Sequence, residues 1–230
     1  MQGAAVYNRG VKQGTLRLWF DFISPYAYLA WKAAPAFCEQ HQLRLEPKPV
    51  LFAALLNHWG QLGPAEIEPK RVYTFKHCVR RAARDQVPFG LPPAHPFNPL
   101  LALRVVALEI DPAERVRIID ALFDATWGGG GGIDSPDKVA SILTKLDLDA
   151  ADLIARAGQA EHKLAFRAAN EEAIAHGLFG VPTLAVDDEL FWGSDAFPDL
   201  AARLAGADPI DDANWADLTK LPEGATRPRR

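Results

Sequence analysis

A serine followed by proline is the first of three short segments whose residue types could bind and activate a ligand. Ser24 precedes Pro25, a pair typical of the N-cap and first position of a helix. Backbone N–H groups and the helix dipole at such a start favour an anion, and the Ser24 hydroxyl adds another donor. The pair therefore predicts a place where a negatively charged atom is stabilised. The alternative is that Ser24 only caps the helix.

The second segment is Gly180–Thr183, where Val181 precedes Pro182 in an apolar context. A cis bond before the proline is expected there. Such a turn leaves the N–H and C=O of Val181 free, so that an extended peptide could pair with them as an added strand. A rigid turn at the start of a strand is an equally open interpretation.

The third segment is Gly193-Ser194-Asp195. The glycine permits close approach to the backbone, Ser194 offers a hydroxyl, and Asp195 can pair with an ammonium group. By itself the segment also fits a helix cap. Together the three segments offer thiol stabilisation, peptide pairing, and a clamp for the carboxylate and ammonium of an amino acid. Glutathione carries all of these groups.

The elements that must position these segments begin with a β-α-β unit. Leu16–Phe22 begins with alternating apolar and polar residues and predicts a strand, and 26–41 predicts a helix that Pro35 should kink. A second alternating strand follows at 43–50. The short connections imply a right-handed parallel crossover.

The middle of the chain, 51–160, carries helical signals. Asn98-Pro99 and Pro112 predict helix starts, and Ser135-Pro136 predicts a further capped start. Five consecutive glycines, 128–132, cannot hold a helix and predict a flexible joint. We expect a helical insertion here.

The α/β pattern returns towards the end of the chain. A helix ending at Gly177 precedes a strand at 181–186, and a turn at Asp187-Asp188 leads to a second strand at 189–192 and a helix at 196–204. The order predicts a thioredoxin-like α/β fold with a large helical insertion. The thioredoxin-like domain would comprise 15–50 and 161–206, the insertion 51–160, and an aperiodic, partly disordered tail 207–230.

Composition narrows the classes of function. The 230 residues include 25 Lys and Arg against 29 Asp and Glu, a net charge of -4, so no general attraction to nucleic acid or anionic membranes is expected. The first 15 residues, with Arg9 and Lys12, lack the apolar run of a secretory signal, which predicts a cytoplasmic protein. Cys38 and Cys78 fit neither a disulfide framework nor a zinc site, and no metal is expected.

Three motifs combined identify a family that the sequence resembles. They are DFISPYAYL at 21–29, GVPT at 180–183 and FWGSD at 191–195. The chain is similar, over about 16–206, to the 2-hydroxychromene-2-carboxylate isomerase family and to the related kappa-class glutathione transferases. This resemblance implies a DsbA-like thioredoxin fold with a helical insertion, usually as a homodimer.

The resemblance also implies roles for the motif residues. Ser24 would hold the glutathione thiolate without attacking substrate itself, and Val181 with Pro182 would meet the cysteinyl backbone. Ser194 and Asp195 would hold the γ-glutamyl end. Gln61, at a position where relatives often have Asn, would contact glutathione.

The implied reaction is a reversible addition of glutathione to an unsaturated aromatic oxo acid, used in aromatic-compound degradation. Lys70, Tyr73 and Arg80 match a recurring Lys, Tyr and Arg that would bind the carboxylated substrate. The same part of the chain offers further cations to such a substrate at Arg71 and Arg81. A solvated basic helix face is the alternative for each of these residues. The chain departs from the family at His77, where Asp is frequent, and in the glycine run.

Two other functions of the same site stay open. A conjugating glutathione transferase would share the thiolate site and release an adduct, and a non-enzymatic module would bind glutathione only. A dithiol oxidoreductase is disfavoured because Ser24 and Ala27 occupy the positions of a CxxC pair.

Overall fold

The computed structural model describes residues 14–210 together with 215, 217, 220–222, 224 and 225. The predicted absence of a signal segment concerns Arg9 and Lys12, which lie outside the described residues. About half of the predicted disordered tail, 13 of its 24 residues, also lies outside them.

A mixed sheet forms the centre of the α/β layer. Its strands are β1 (Thr15–Phe20), β2 (Arg44–Pro49), β3 (Thr183–Val186) and β4 (Glu189–Trp192), in the spatial order β2-β1-β3-β4. β1 pairs parallel with β2 and antiparallel with β3, and β3 pairs antiparallel with β4. The predicted parallel β-α-β unit and the terminal hairpin are both present.

Between residues 14 and 210 the other regular elements are a short 3-10 helix at Pro64–Glu66 and a set of α-helices. The α-helices are α1 (Pro25–His41), α2 (Phe52–Trp59), α3 (Glu68–Arg84), α4 (Leu100–Ala107), α5 (Pro112–Trp127), α6 (Pro136–Lys145), α7 (Ala150–Gly158), α8 (Ala160–Ala175) and α9 (Phe197–Leu204). From the end of β2 to the end of α8, all of it described, the regular elements are helical. The thioredoxin-like fold class with helices between its two α/β parts is confirmed. The domain boundaries at 50, 160 and 206 stay predictions.

The central strand β1 separates two apolar clusters. Leu16, Leu18 and Phe20 point into the larger cluster, which includes α1 and much of α4 to α7. Trp19 points to the opposite face, into a smaller cluster that includes Leu55 of α2 and residues near the end of α8. The alternation predicted for this strand therefore places both of its faces in the core, as expected for a central strand.

Two predicted boundaries, one in the second segment and one after the third, differ from the structure. β3 begins at Thr183 instead of 181, because Pro182 has no amide hydrogen to donate to the ladder. α9 begins at Phe197 with Ala196 as N-cap and no side-chain cap hydrogen bond. Ser194 and Asp195 therefore do not cap the helix, and the structural alternative considered for them is wrong.

The glycine run is a tightly folded turn, where a loose joint was predicted. Gly129, Gly131 and Gly132 have φ angles of 90°, 93° and 89°, values that favour glycine. A Cβ at Gly130 would lie 2.6 Å from the Cα of Ala125, so α5 leaves no room for a side chain. The Gly132 N–H closes the turn by donating to the Ala125 carbonyl at 2.7 Å.

Candidate functional site

Ser24 is the N-cap of α1 and is 8% exposed. Its Oγ accepts a hydrogen bond from the Ala27 N–H at 3.2 Å, which satisfies one of the free amides of the first turn. The hydroxyl donates to the Val181 carbonyl at 3.4 Å, a long and therefore weak bond. The single hydroxyl proton is thus loosely held and could be drawn to a stronger acceptor.

A buried carboxylate anchors the backbone just before Ser24. Asp21 is fully buried and accepts hydrogen bonds from the Ile23 N–H at 3.0 Å and the Phe52 N–H at 2.9 Å. Its backbone carbonyl accepts from the Ser24 N–H at 3.1 Å. Burial raises the pKa of Asp21 to about 7, and the two amide donors act in the opposite direction. Asp21 therefore joins the turn that carries Ser24 to the start of α2.

Two side chains from the helical region bind the two carbonyls within this turn. Trp127 Nε1 donates to the Phe22 carbonyl at 2.8 Å, and Nε2 of His95 bonds to the Ile23 carbonyl at 2.9 Å. Burial lowers the pKa of His95, which favours the neutral ring with its proton on Nε2. The position of Ser24 thus depends on residues far along the chain.

The loop that carries Val181 lies beside Ser24. The peptide bond between Val181 and Pro182 is cis, as predicted. The Val181 carbonyl, which was predicted to be free, accepts the long hydrogen bond from Ser24. Gly180 lies under the Trp192 indole, because a Cβ added there would meet Nε1 at 2.5 Å. The Pro182 carbonyl accepts from the Gly193 N–H at 2.9 Å. The loop thus contacts both Ser24 and the segment that carries Ser194 and Asp195, so the three predicted segments converge.

An arginine holds the third segment. Ser194 is buried, with 3% of its surface exposed, whereas Asp195 is exposed. Arg81 of α3 donates from Nη1 to Ser194 Oγ at 3.3 Å and from Nη2 to the Ser194 carbonyl at 3.2 Å. Arg81, Ser194 and Asp195 line one groove together with residues of α1 and α9. A hydroxyl, a carboxylate and a guanidinium are therefore neighbours here.

The residues predicted to bind substrate lie on the exposed side of α3. The Tyr73 ring stacks on His77 with ring centroids 5.9 Å apart, and His77 Nδ1 is 2.8 Å from the Tyr26 hydroxyl. Tyr73 is thereby linked to the first turn of α1. Burial raises the pKa of Tyr26 to about 12, which keeps this phenol protonated. Lys70 and Arg80 are exposed, without a described contact to Ser24 or Val181.

Gln61 is exposed just after α2. Its N–H donates to the Leu56 carbonyl at 2.9 Å, which closes the end of that helix. Two residues earlier, Trp59 Nε1 donates to the Leu178 carbonyl at 2.7 Å. The turn that carries Gln61 therefore lies next to the segment leading into Gly180, although no described contact joins the Gln61 side chain to it.

Sequence reasoning placed Arg80 and Arg81 together among the cations available to a carboxylated substrate, and matched only Arg80 to the family pattern. A helical phase argument could have separated the two, because Thr74, Cys78 and Ala82 mark the buried face of α3. Arg81 follows Cys78 by three positions and lies at the edge of that face, whereas Arg80 is turned to solvent. Asp21 was quoted only as part of a motif, and nothing local indicates that its partner is the Phe52 amide.

The two cysteines do not resemble reactive thiols. Burial raises the pKa of Cys38 to about 11 and that of Cys78 to about 12. Within the described residues, no cluster of three or more His, Cys, Asp or Glu side chains is arranged to hold a metal ion. None of the helices in the same residues combines the length and apolarity needed to cross a membrane.

Comparison with known proteins supports the fold described above. The family model of the DSBA-like thioredoxin domain matches residues 15–205. A 2-hydroxychromene-2-carboxylate isomerase from Sphingobium xenophagum is 29% identical over 196 residues, which cover 83% of this chain and 97% of the relative. Glutathione S-transferase kappa 2 from Caenorhabditis elegans is 27% identical over 205 residues, covering 83% of this chain and 91% of the relative.

Solved structures show the same architecture. A crystallised 2-hydroxychromene-2-carboxylate isomerase aligns with a TM-score of 0.77 at 22% identity, covering 89% of this chain and 98% of that one. A probable DsbA oxidoreductase from Streptomyces coelicolor aligns with a TM-score of 0.64 at 16% identity, covering 86% and 93%. These alignments show the fold.

Proposed function

The chain belongs to the DSBA-like thioredoxin domain family, and from this premise we propose that it is a glutathione-dependent isomerase. Its substrates would be of the 2-hydroxychromene-2-carboxylate type, met in the degradation of aromatic compounds. The observation that carries the proposal is the convergence of Ser24, the Val181 loop and the Ser194-Asp195 segment. Relatives of comparable similarity include both isomerases and kappa-class transferases.

The groups at this site suit the parts of glutathione. The Ser24 hydroxyl can exchange its long bond to the Val181 carbonyl for a shorter, charge-assisted bond to a sulfur anion. The exchange would also free the Val181 carbonyl to pair with the cysteinyl amide, next to Pro182. Ser194 and Asp195 would receive the γ-glutamyl carboxylate and ammonium. Gln61 would contact the same ligand from the turn after α2.

When bound, glutathione would supply a thiolate that adds reversibly to a double bond of the substrate and so permits rotation about that bond. The contribution of Ser24 is to keep the thiol ionised at neutral pH. Lys70 and Arg80 would attract the substrate carboxylate, and the Tyr73 ring would flank its aromatic part. The protonated Tyr26 phenol adds a hydrogen-bond donor at the start of α1.

Absorbance of a 2-hydroxychromene-2-carboxylate, followed with and without glutathione, tests the proposal. We expect glutathione at one hundredth of the substrate concentration to bring all of the substrate to equilibrium with its isomer, because the thiol is recovered in each cycle. Conversion that stops at the amount of glutathione added, with an adduct detected by mass spectrometry, would indicate a conjugating transferase. Binding of glutathione without conversion of either kind would indicate a binding module.

Asp195→Ala is expected to weaken glutathione binding about 10- to 100-fold, because a hydrogen bond to a charged group contributes roughly 1.5 to 3 kcal/mol. Asp195 is exposed, so the variant should fold normally. Asp199→Ala, an exposed carboxylate in the first turn of α9, is the matched control and should bind as the wild type does. Equal affinities of the two variants in calorimetry would remove Asp195 from the site.

The assembly and the compartment belong to the same proposal. A homodimer and a cytoplasmic location are what the family resemblance and the sequence composition predict. Both stay predictions.

A further inference from the structure

Two hydrogen bonds to Ser194 hold the Arg81 guanidinium in a defined position. Its Nη1 lies 3.3 Å from the hydroxyl oxygen and its Nη2 lies 3.2 Å from the carbonyl oxygen of that residue. The Arg81 side chain is 15% exposed and Ser194 is buried, so the contact is largely shielded from solvent. A planar guanidinium fixed in this way presents its remaining donors in a constant direction.

The positive charge of Arg81 is not fully compensated by its own acidic neighbour. Asp85 Oδ2 is 3.6 Å from Arg81 Nε, which is beyond hydrogen-bond distance. The same carboxylate is shared with Arg84, whose Nε is 3.0 Å from Oδ1. Arg81 Nε is buried without a hydrogen-bond partner among the described residues. The guanidinium therefore retains both charge and donor capacity.

The segment Gly193–Asp195, which Arg81 contacts, contains no positively charged residue of its own. The head of a γ-glutamyl group bears an ammonium and a carboxylate on one carbon atom. Asp195 can neutralise the ammonium, but the segment Gly193–Asp195 contains no cation for the carboxylate. Arg81 and Arg84 both line the groove that includes Ser194 and Asp195. Of these two, Arg81 has the described hydrogen bonds to the segment, whereas Arg84 is paired with Asp85.

We propose that Arg81 binds the α-carboxylate of the γ-glutamyl group and so determines that the site accepts γ-glutamyl thiols. The inference rests on the proposed use of glutathione. It assigns the cation of the site to Arg81, whereas the neighbouring Arg80 remains a predicted contact of the second substrate. A purely structural role, in which Arg81 only ties Ser194 to α3, is the competing explanation.

Calorimetry with two ligands separates these explanations. The ligands are glutathione and its analogue in which the γ-glutamyl α-carboxylate is converted to an amide. We expect the wild type to bind glutathione roughly 10- to 100-fold more tightly than the amide. Arg81→Met should bind both ligands with affinities within about twofold of each other, because the group that distinguishes them is gone.

Two further variants complete the test. Lys76→Met removes a positive charge from the exposed side of α3 and should preserve the full discrimination. Arg81→Lys retains the charge without the planar fork and should give intermediate discrimination, which provides a second measurement if Arg81→Met melts too early for calorimetry.

Each alternative outcome has a distinct meaning. If Arg81→Met weakens both ligands in equal proportion, Arg81 is only a structural tie, and the inference is overturned. If the wild type itself fails to distinguish the two ligands, the inference is also overturned, while glutathione use stands. If the wild type binds no glutathione at all, the proposed function fails together with the inference.

Discussion

Replacing Ser24 with alanine is expected to raise the pKa of the bound glutathione thiol and to lower turnover at neutral pH. The hydroxyl lies at the start of α1, where the sulfur is predicted to bind, and alanine has no donor to replace it. Each unit by which the thiol pKa rises corresponds to about 1.4 kcal/mol of lost thiolate stabilisation. The helix dipole and backbone amides remain in the variant, so part of the stabilisation should survive.

The measurement is the ultraviolet absorbance of the thiolate, titrated against pH with glutathione bound to the wild type and to Ser24→Ala. Loss of a helix cap alone would cost about 1 kcal/mol of folding stability and leave the titration midpoint unchanged. An unchanged midpoint would exclude Ser24 from thiolate binding even if the variant melted earlier.

The chain provides a matched control for the effect of losing a cap. Ser135 precedes Pro136, caps α6, and accepts from the Lys138 N–H at 3.4 Å, as Ser24 accepts from the Ala27 N–H. Ser135→Ala should therefore reproduce the loss of stability without any change in the thiol titration. A shift of the midpoint in this control would mean that the thiol titration responds to folding stability and not to a hydrogen bond from Ser24 to the thiolate.

The parts of the fold that sequence could predict are those encoded by local rules. Alternation in β1 and the Ser24-Pro25 pair indicate a strand followed by a capped helix, and both are present. Pro136, preceded by Ser135, likewise begins a helix. Each of these signals lies within a few residues of the structure it predicts, because capping and side-chain alternation are local interactions.

The contacts that position the site could not be predicted in the same way. Arg81 reaches Ser194 across 113 positions of sequence, and Trp127 reaches the Phe22 carbonyl across 105. No periodicity or cap indicates such a pair, because it depends on how α3 and α5 pack against α1. The glycine run illustrates the same limit, since its close approach to Ala125 is a property of packing and not of glycine content.

Asp21, in the turn that precedes Ser24, makes the stability of the fold depend on pH. Its contribution to the free energy of unfolding should fall as the pH rises from about 4 to about 7. Burial raises its pKa to about 7, above the value of about 3.9 in an unfolded chain. Between these values the folded protein retains a proton that the unfolded chain has released, so the free energy of unfolding decreases with pH. The contribution is fully present below pH 4 and lost above pH 7.

The expected size of this effect is about 1.4 kcal/mol per pH unit, or up to about 4 kcal/mol over the whole interval. Asp21→Asn, which cannot ionise, isolates it: the stability of the wild type relative to this variant should decline steadily from pH 4 to 7 and then become constant. Denaturant unfolding at several pH values measures the difference, in which the titration of other groups cancels.

Asp111→Asn makes the same exchange at the exposed cap of α5 and should not reproduce the decline. If the difference between wild type and Asp21→Asn instead stayed constant or rose with pH, the Asp21 carboxyl would be ionised throughout, stabilised by the Ile23 and Phe52 amides beyond the cost of its burial.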